Sequence, residues 1–130
     1  MCVVGFFGDV RTEQGAKVLE RANDRIVEEF KDYPGILSYT SFELTGDRWA
    51  NLVIHDEPDV AQQWRGSQRH ASAVQDLSPI HYRNVRIHNG RVPGGLPGGN
   101  WVVIHRTKYW DYRAKKVWHA IRELPSPVTA

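Results

Sequence analysis

An internal disulfide is closed to this chain, because its one cysteine, Cys2, has no second cysteine to pair with. The same scarcity excludes a cysteine-rich metal site and fits a reducing setting, so a cytoplasmic protein is expected. No apolar run reaches the length of about 18 residues that a membrane-spanning helix needs. The first residues lack the basic-then-apolar layout of a secretory signal. A dominant charge of one sign is missing too: Lys+Arg number 17 against 15 Asp+Glu, a net charge of +2. With the signs interspersed, no nucleic-acid footprint is expected, although Arg106, Lys108, Arg113, Lys115 and Lys116 make the C-terminal third locally basic. Histidine pairs at metal-binding spacing and a G-x-S-x-G elbow are both absent, so neither a metal site nor a serine nucleophile is predicted.

What remains is an ordinary globular composition. With 130 residues, 41% of them hydrophobic, the chain is long enough to bury one core. Residues 2–7 (CVVGFF) read as a short buried strand. From 12 to 31 the apolar positions Val18, Leu19, Ala22, Ile26, Val27 and Phe30 recur at helical spacing, with charges on the other face. Thr12 or Asp9 is placed to cap this helix. Tyr33-Pro34-Gly35 ends it, since proline cannot continue a helix and glycine accepts a turn.

Alternation then takes over. In 36–44, Leu37, Tyr39, Ser41 and Glu43 share one face. In 49–55, Trp49, Asn51, Val53 and His55 do. Thr45-Gly46-Asp47-Arg48 between them is hairpin chemistry. Asp56-Glu57-Pro58-Asp59 opens a second helix, whose apolar stripe is Val60, Ala61, Trp64, Ala71 and Val74 and which Ser78-Pro79 closes. Residues 81–88 form a strand with Val85 and Ile87 on one side and Tyr82, Asn84, Arg86 and His88 on the other. A Gly/Pro loop at 93–100 (PGGLPGGN) lacks the lysine of a phosphate cradle. A further strand or two follows over 101–112, then a short helix over 113–124 carrying Val117, Trp118 and Ile121.

Strand, helix, strand, strand, helix, strand is the split β-α-β, ferredoxin-like order of an α+β fold. Residues 1–92 make that unit, and 93–130 extend the same domain. Both helices cover one sheet face. The other face is expected to stay open, carry Tyr39, Ser41, Asn51, His55, Asn84, Arg86 and His88, and close against a second copy as a homodimeric barrel with cavities inside.

The turn at Tyr33-Pro34-Gly35, followed by W-x-x-S-x-x-H at Trp64, Ser67 and His70, resembles the dimeric α+β barrel superfamily. The branch it is most similar to is the antibiotic-biosynthesis-monooxygenase-like domain. The resemblance runs from Cys2 to Val92 and stops before the Gly/Pro loop. It implies a homodimer that binds a small organic molecule, and members include cofactor-independent oxygenases, haem-degrading enzymes, isomerases and domains without a known reaction. Fold likeness alone carries function only by association.

A cofactor-free oxygenase of an aromatic or polyketide-like substrate needs a base, groups that hold an enolate or phenolate, and a dry aromatic pocket. The residues suited to catalysis are Arg86, His88 and His55. Those suited to binding substrate are Tyr39, Asn51, Trp64, His70 and Asn84. The competing reading has them satisfy one another, pair across the dimer, or pack: Trp64 at helical spacing suits a core. No cofactor is expected on this reading. The alternative is a non-catalytic ligand- or haem-binding protein. Haem-degrading relatives place their iron ligand ten residues after the tryptophan, where this chain has Val74, and carry an asparagine on the first strand, where CVVGFF has none. An iron ligand would then have to come from another histidine, such as His81, His88 or His105.

Overall fold

A computed structural model describes residues 1–45, 48–56, 70, 73–92, 102–113 and 116–125. Strand β1 (Cys2–Val10) is followed by helix α1 (Glu13–Glu28), a 3-10 turn (Glu29–Asp32), and the hairpin strands β2 (Ile36–Glu43) and β3 (Arg48–His55). A π-helical turn (Ala73–Leu77) leads into α2 (Ser78–His81). Strands β4 (Tyr82–Arg91), β5 (Val103–Asp111) and β6 (Trp118–Glu123) complete the order. The predicted hairpin residues Gly46 and Asp47, Trp64 and Ser67 of the W-x-x-S-x-x-H stretch, and the loop at 93–100 lie outside the described residues.

All neighbouring strands are antiparallel in a 6-stranded sheet ordered β2-β3-β1-β4-β5-β6. The first four strands reproduce the ferredoxin-like order, and β5 and β6 add to the β4 edge of the same sheet. Strand β1 runs past Phe7 to Val10 because both its edges are paired, Gly8 to Trp49 and Val85, Asp9 to Arg48 and Asn84. Gly8 is required for space. A Cβ there would lie 2.4 Å from Cε1 of Tyr82. At Gly90 a Cβ would lie 2.6 Å from the Val103 carbonyl oxygen, so glycine lets β5 approach β4.

Helix α1 starts where Thr12 Oγ1 accepts from the Gly15 amide at 2.9 Å, one of the two anticipated caps. The core lies between the helices and one sheet face in two clusters. Val4, Ile26 and Val53 form one, with Phe30, Tyr39 and Ile87 against it; Val10, Tyr82 and Val85 form the other, with Phe6, Leu19 and Trp110.

Two local expectations are corrected. Pro79 does not close the second helical segment, because it sits in the first turn of α2, where the missing N–H is not needed, and the helix continues to His81. Residues 118–123 form a strand rather than a helix. The free edge of β5 offers backbone partners to them, and Trp110 pairs with His119 and Lys108 with Ile121. Among the described residues no helix is long and apolar enough to cross a membrane.

Candidate functional site

A cavity of about 260 Å³ lies between the helices and the sheet and draws its wall from both core clusters. Its floor follows from strand alternation. Val4 and Phe6 of β1 face it, and so do Val53 and Asn51 opposite them on β3 and Ile87 opposite Phe6 on β4. Lys108 and Trp110 on β5 pair with Ile87 and Val85 and reach the same face. The roof comes from α1, whose Leu19, Ala22, Asn23 and Ile26 make one helical stripe, and from His70, Ala73 and Ser78 of the second helical segment. The lining is mostly apolar with a few convergent polar groups, the usual character of a small-molecule site.

Tyr39 Oη donates to Asn23 Oδ1 at 2.5 Å, joining β2 to α1 along the cavity wall. Ser41 Oγ donates to Asn51 Oδ1 at 2.7 Å. In this orientation the Asn51 Nδ2 hydrogens are left to donate elsewhere. Burial raises the Tyr39 phenol above its ordinary pKa, against the lowering effect of its hydrogen bonds to Asn23 and Ser41. Burial raises Tyr82 as well, and the neighbouring phenols of Tyr39 and Tyr112 push the same way. Tyr112 is raised by burial alone. The phenols therefore stay protonated at neutral pH and act as hydrogen-bond donors, not as bases.

The predicted site residues divide between the two faces of the sheet. Tyr39, Asn51 and His70 line the cavity. Trp64 lies outside the described residues. Asn84, Arg86 and His88 are on the opposite face, because Arg86 pairs with Phe7 and His88 with Gly5, out of phase with Phe6. The Arg86 guanidinium lies 5.6 Å from the Phe7 ring centroid, and His88 meets the same ring edge-on at 5.7 Å. His88 Nδ1 is 2.9 Å from Thr107 Oγ1, and Asn84 Nδ2 donates to Asp9 Oδ2 at 3.5 Å. His55 faces the cavity side but is only 3% exposed at the end of β3, opposite Cys2 and Ile36, and is not among the lining residues.

The shared face expected for Tyr39, Asn51, Asn84, Arg86 and His88 is thus corrected. The helices cover the Tyr39 and Asn51 side, and the buried Val85 and partly buried Ile87 on that side turn Asn84, Arg86 and His88 away. Tyr82, expected with those three, instead packs with Val10 and Val85 on the cavity side, past the register shift between Asp9 and Val10. None of the histidines raised as iron ligands, His81, His88 and His105, is in the lining; the histidine there is His70. Among the described residues no group of His, Cys, Asp and Glu could hold a metal ion.

Asn23, Tyr82, Lys108, Trp110 and Tyr112 line the cavity but are absent from the sequence-based set. Their signals were present. Asn23 falls within the apolar stripe of α1, four residues after Leu19, and Lys108, Trp110 and Tyr112 alternate along one strand face.

No family model matches the chain, and no curated protein matches it. Solved structures do. An antibiotic biosynthesis monooxygenase superposes with a TM-score of 0.60 at 12% identity, over 68% of this chain and 95% of its own. A Deinococcus radiodurans protein described as a candidate antibiotic biosynthesis monooxygenase gives 0.64 at 12%, over 74% and 96%. SnoaB of Streptomyces nogalater, a cofactor-independent oxygenase crystallised as a mutant, gives 0.59 at 14%, over 74% and 96%. The chain has the ferredoxin-like α+β fold of the antibiotic-biosynthesis-monooxygenase-like proteins. At these identities the likeness is one of fold.

Proposed function

We propose that the chain binds a small, largely apolar aromatic molecule in the cavity between α1 and the sheet and oxygenates it without a cofactor. The observation that carries the reading is the cavity itself, an apolar space of about 260 Å³ edged by Tyr39, Asn51 and His70. The fold of SnoaB, described as a cofactor-independent oxygenase, supports the reaction class. Dimeric closure through the opposite sheet face belongs to the same proposal.

The residues present suit that chemistry. Imidazole is the side-chain type on this wall that takes up a proton near neutral pH, which gives His70 the role of base. Protonated phenols at Tyr82 and Tyr112 and the Asn51 amide supply hydrogen bonds to a developing oxyanion, while the Tyr39 hydroxyl hydrogen is held by Asn23. Loss of one proton makes an activated phenolic substrate electron-rich enough to reduce dioxygen. The balance closes if a substrate methylene becomes a carbonyl: one oxygen atom stays on that carbon, and the other leaves as water with the two hydrogens. Arg86 and His88 have no part in this scheme, since they sit across the sheet.

Oxygen consumption tests it. With a hydroxyanthrone, whose ring methylene can become the carbonyl, protein-dependent and saturable uptake is expected, with one dioxygen consumed per product and the rate reduced at least about a hundredfold in His70→Ala. Binding of these compounds without any uptake above the buffer rate would leave a non-catalytic ligand binder. A Soret band on adding haemin, lost in His70→Ala, would replace the cofactor-free reading with the haem one.

A further inference from the structure

The cavity wall carries a buried hydrogen-bond donor that the fold does not use. Tyr82 is 8% exposed and lines the cavity. Its ring is held edge-on to Phe6 at 5.6 Å and so close to Gly8 that a Cβ there would lie 2.4 Å from Cε1. Among the described residues its hydroxyl makes no hydrogen bond, and neither does that of Tyr112, whereas the Tyr39 hydroxyl donates to Asn23. The Tyr82 hydroxyl is not sealed within the protein, so on a side chain this buried it opens on the cavity. Tyr112 stands beside it. The Tyr112 amide donates to the Arg83 carbonyl at 2.8 Å, at the start of β4, and the two phenols lie close enough for the charge of one to raise the other.

We propose that Tyr82, with Tyr112 beside it, selects the ligand by an acceptor oxygen: the cavity takes a ketone on a fused aromatic frame, its carbonyl seated on the Tyr82 hydroxyl and its rings along Phe6 and Val85. The proposal rests on the reading that this cavity binds a small aromatic molecule, and adds that the neutral ketone is recognised before any proton is lost. A hydrocarbon filling the cavity strips water from the Tyr82 hydroxyl and leaves it without an acceptor, whereas a carbonyl oxygen replaces that water. A site built around such a donor rejects the analogue lacking the acceptor more sharply than an apolar wall rejects one methylene. Both hydroxyls remain donors through neutral pH, because burial raises both phenols.

Fluorenone and fluorene separate the acceptor from the shape. They share the same fused rings and differ in a carbonyl against a methylene. By equilibrium dialysis, the ratio of fluorenone to fluorene affinity is expected to fall about tenfold from wild type to Tyr82→Phe, with fluorene held at least as tightly as before. Tyr112→Phe lowers the ratio less. In the infrared, the carbonyl band of fluorenone bound to the wild type lies below its position in hexane, and it returns toward that position in Tyr82→Phe.

A bound carbonyl band at its hexane position overturns the acceptor assignment alone, and the wild type reports it whether or not Tyr82→Phe folds. A ratio or a band shift that survives Tyr82→Phe gives the donor to another residue and also overturns it. Failure of both compounds to bind the wild type overturns the small-molecule reading itself.

Discussion

Tyr39 on β2 and Asn23 on α1 share a hydrogen bond of 2.5 Å between Oη and Oδ1, so the helix that roofs the cavity is tied to the sheet by a polar contact at its wall. Tyr39 otherwise packs against Phe30, with ring centroids 5.3 Å apart, and against the Val4, Ile26 and Val53 cluster. Tyr39→Phe preserves the packing and strands the Asn23 acceptor. A loss of about 1 kcal/mol is expected in urea denaturation. Tyr39→Phe combined with Asn23→Leu recovers part of it, since both polar partners are then gone. No loss in the single variant would show that the bond is replaced by water.

The contact of Gly8 with Tyr82 sets a second expectation. A Cβ at Gly8 would sit 2.4 Å from the buried Tyr82 ring, which is itself edge-on to Phe6 at 5.6 Å. Gly8→Ala must move that ring and should cost about 1–3 kcal/mol. Gly5→Ala, three residues earlier on the same strand, meets only the Phe7 ring at 3.6 Å and should stay within about 0.5 kcal/mol of wild type. Thermal unfolding of the two variants side by side decides the matter, and equal losses would remove the steric explanation.

Arg11 fastens the ends of β4 and β5. Its Nε donates to the Tyr82 carbonyl at 3.0 Å and its Nη2 to the Tyr112 carbonyl at 2.5 Å. Arg11→Met keeps the aliphatic stem and leaves both carbonyls short of a donor, with an expected cost of about 1–3 kcal/mol. Because Tyr82 and Tyr112 both line the cavity, affinity for a neutral apolar fluorescent probe such as N-phenyl-1-naphthylamine should fall as well. Unchanged affinity together with lost stability would separate the strand ends from the binding wall.

His88 supplies a pH dependence. Burial, and then the positive charge of Arg86, hold its pKa below the ordinary value of 6.5. Between the folded and the unfolded pKa the unfolded chain binds more protons, so stability rises with pH there and falls as pH drops below about 6.5. His88→Gln should flatten this part of the profile between pH 7 and pH 5, read as the urea midpoint at each pH. A slope that persists unchanged in His88→Gln would assign it to other groups.

Much of this architecture is legible in local pattern. The period of two in β2 and β3 puts Tyr39, Ser41, Asn51 and His55 on one face, and the structure keeps Tyr39 and Asn51 together at the cavity. The helical period and the Thr12 cap define α1. Period and capping are properties of neighbouring residues, so a sequence states them directly.

Which faces of different strands coincide is another matter, because it depends on non-local register. Phe6, not Phe7, pairs with Ile87, and that offset of one residue sends Arg86 and His88 to the opposite side from Asn51. The apolar Val85 and Ile87 foreshadow the outcome, since the helices demand apolar residues beneath them. Residues 118–123 carry no comparable sign. Their apolar spacing suits a helix, and only the unpaired edge of β5, brought alongside by the fold, gives their backbone a strand to join. Pairing of β5 with β4 brings Lys108, Trp110 and Tyr112 to the cavity. Sequence thus determined the elements and the faces within each one. Tertiary pairing decided which faces meet, because burial energy is shared across strands that lie far apart along the chain.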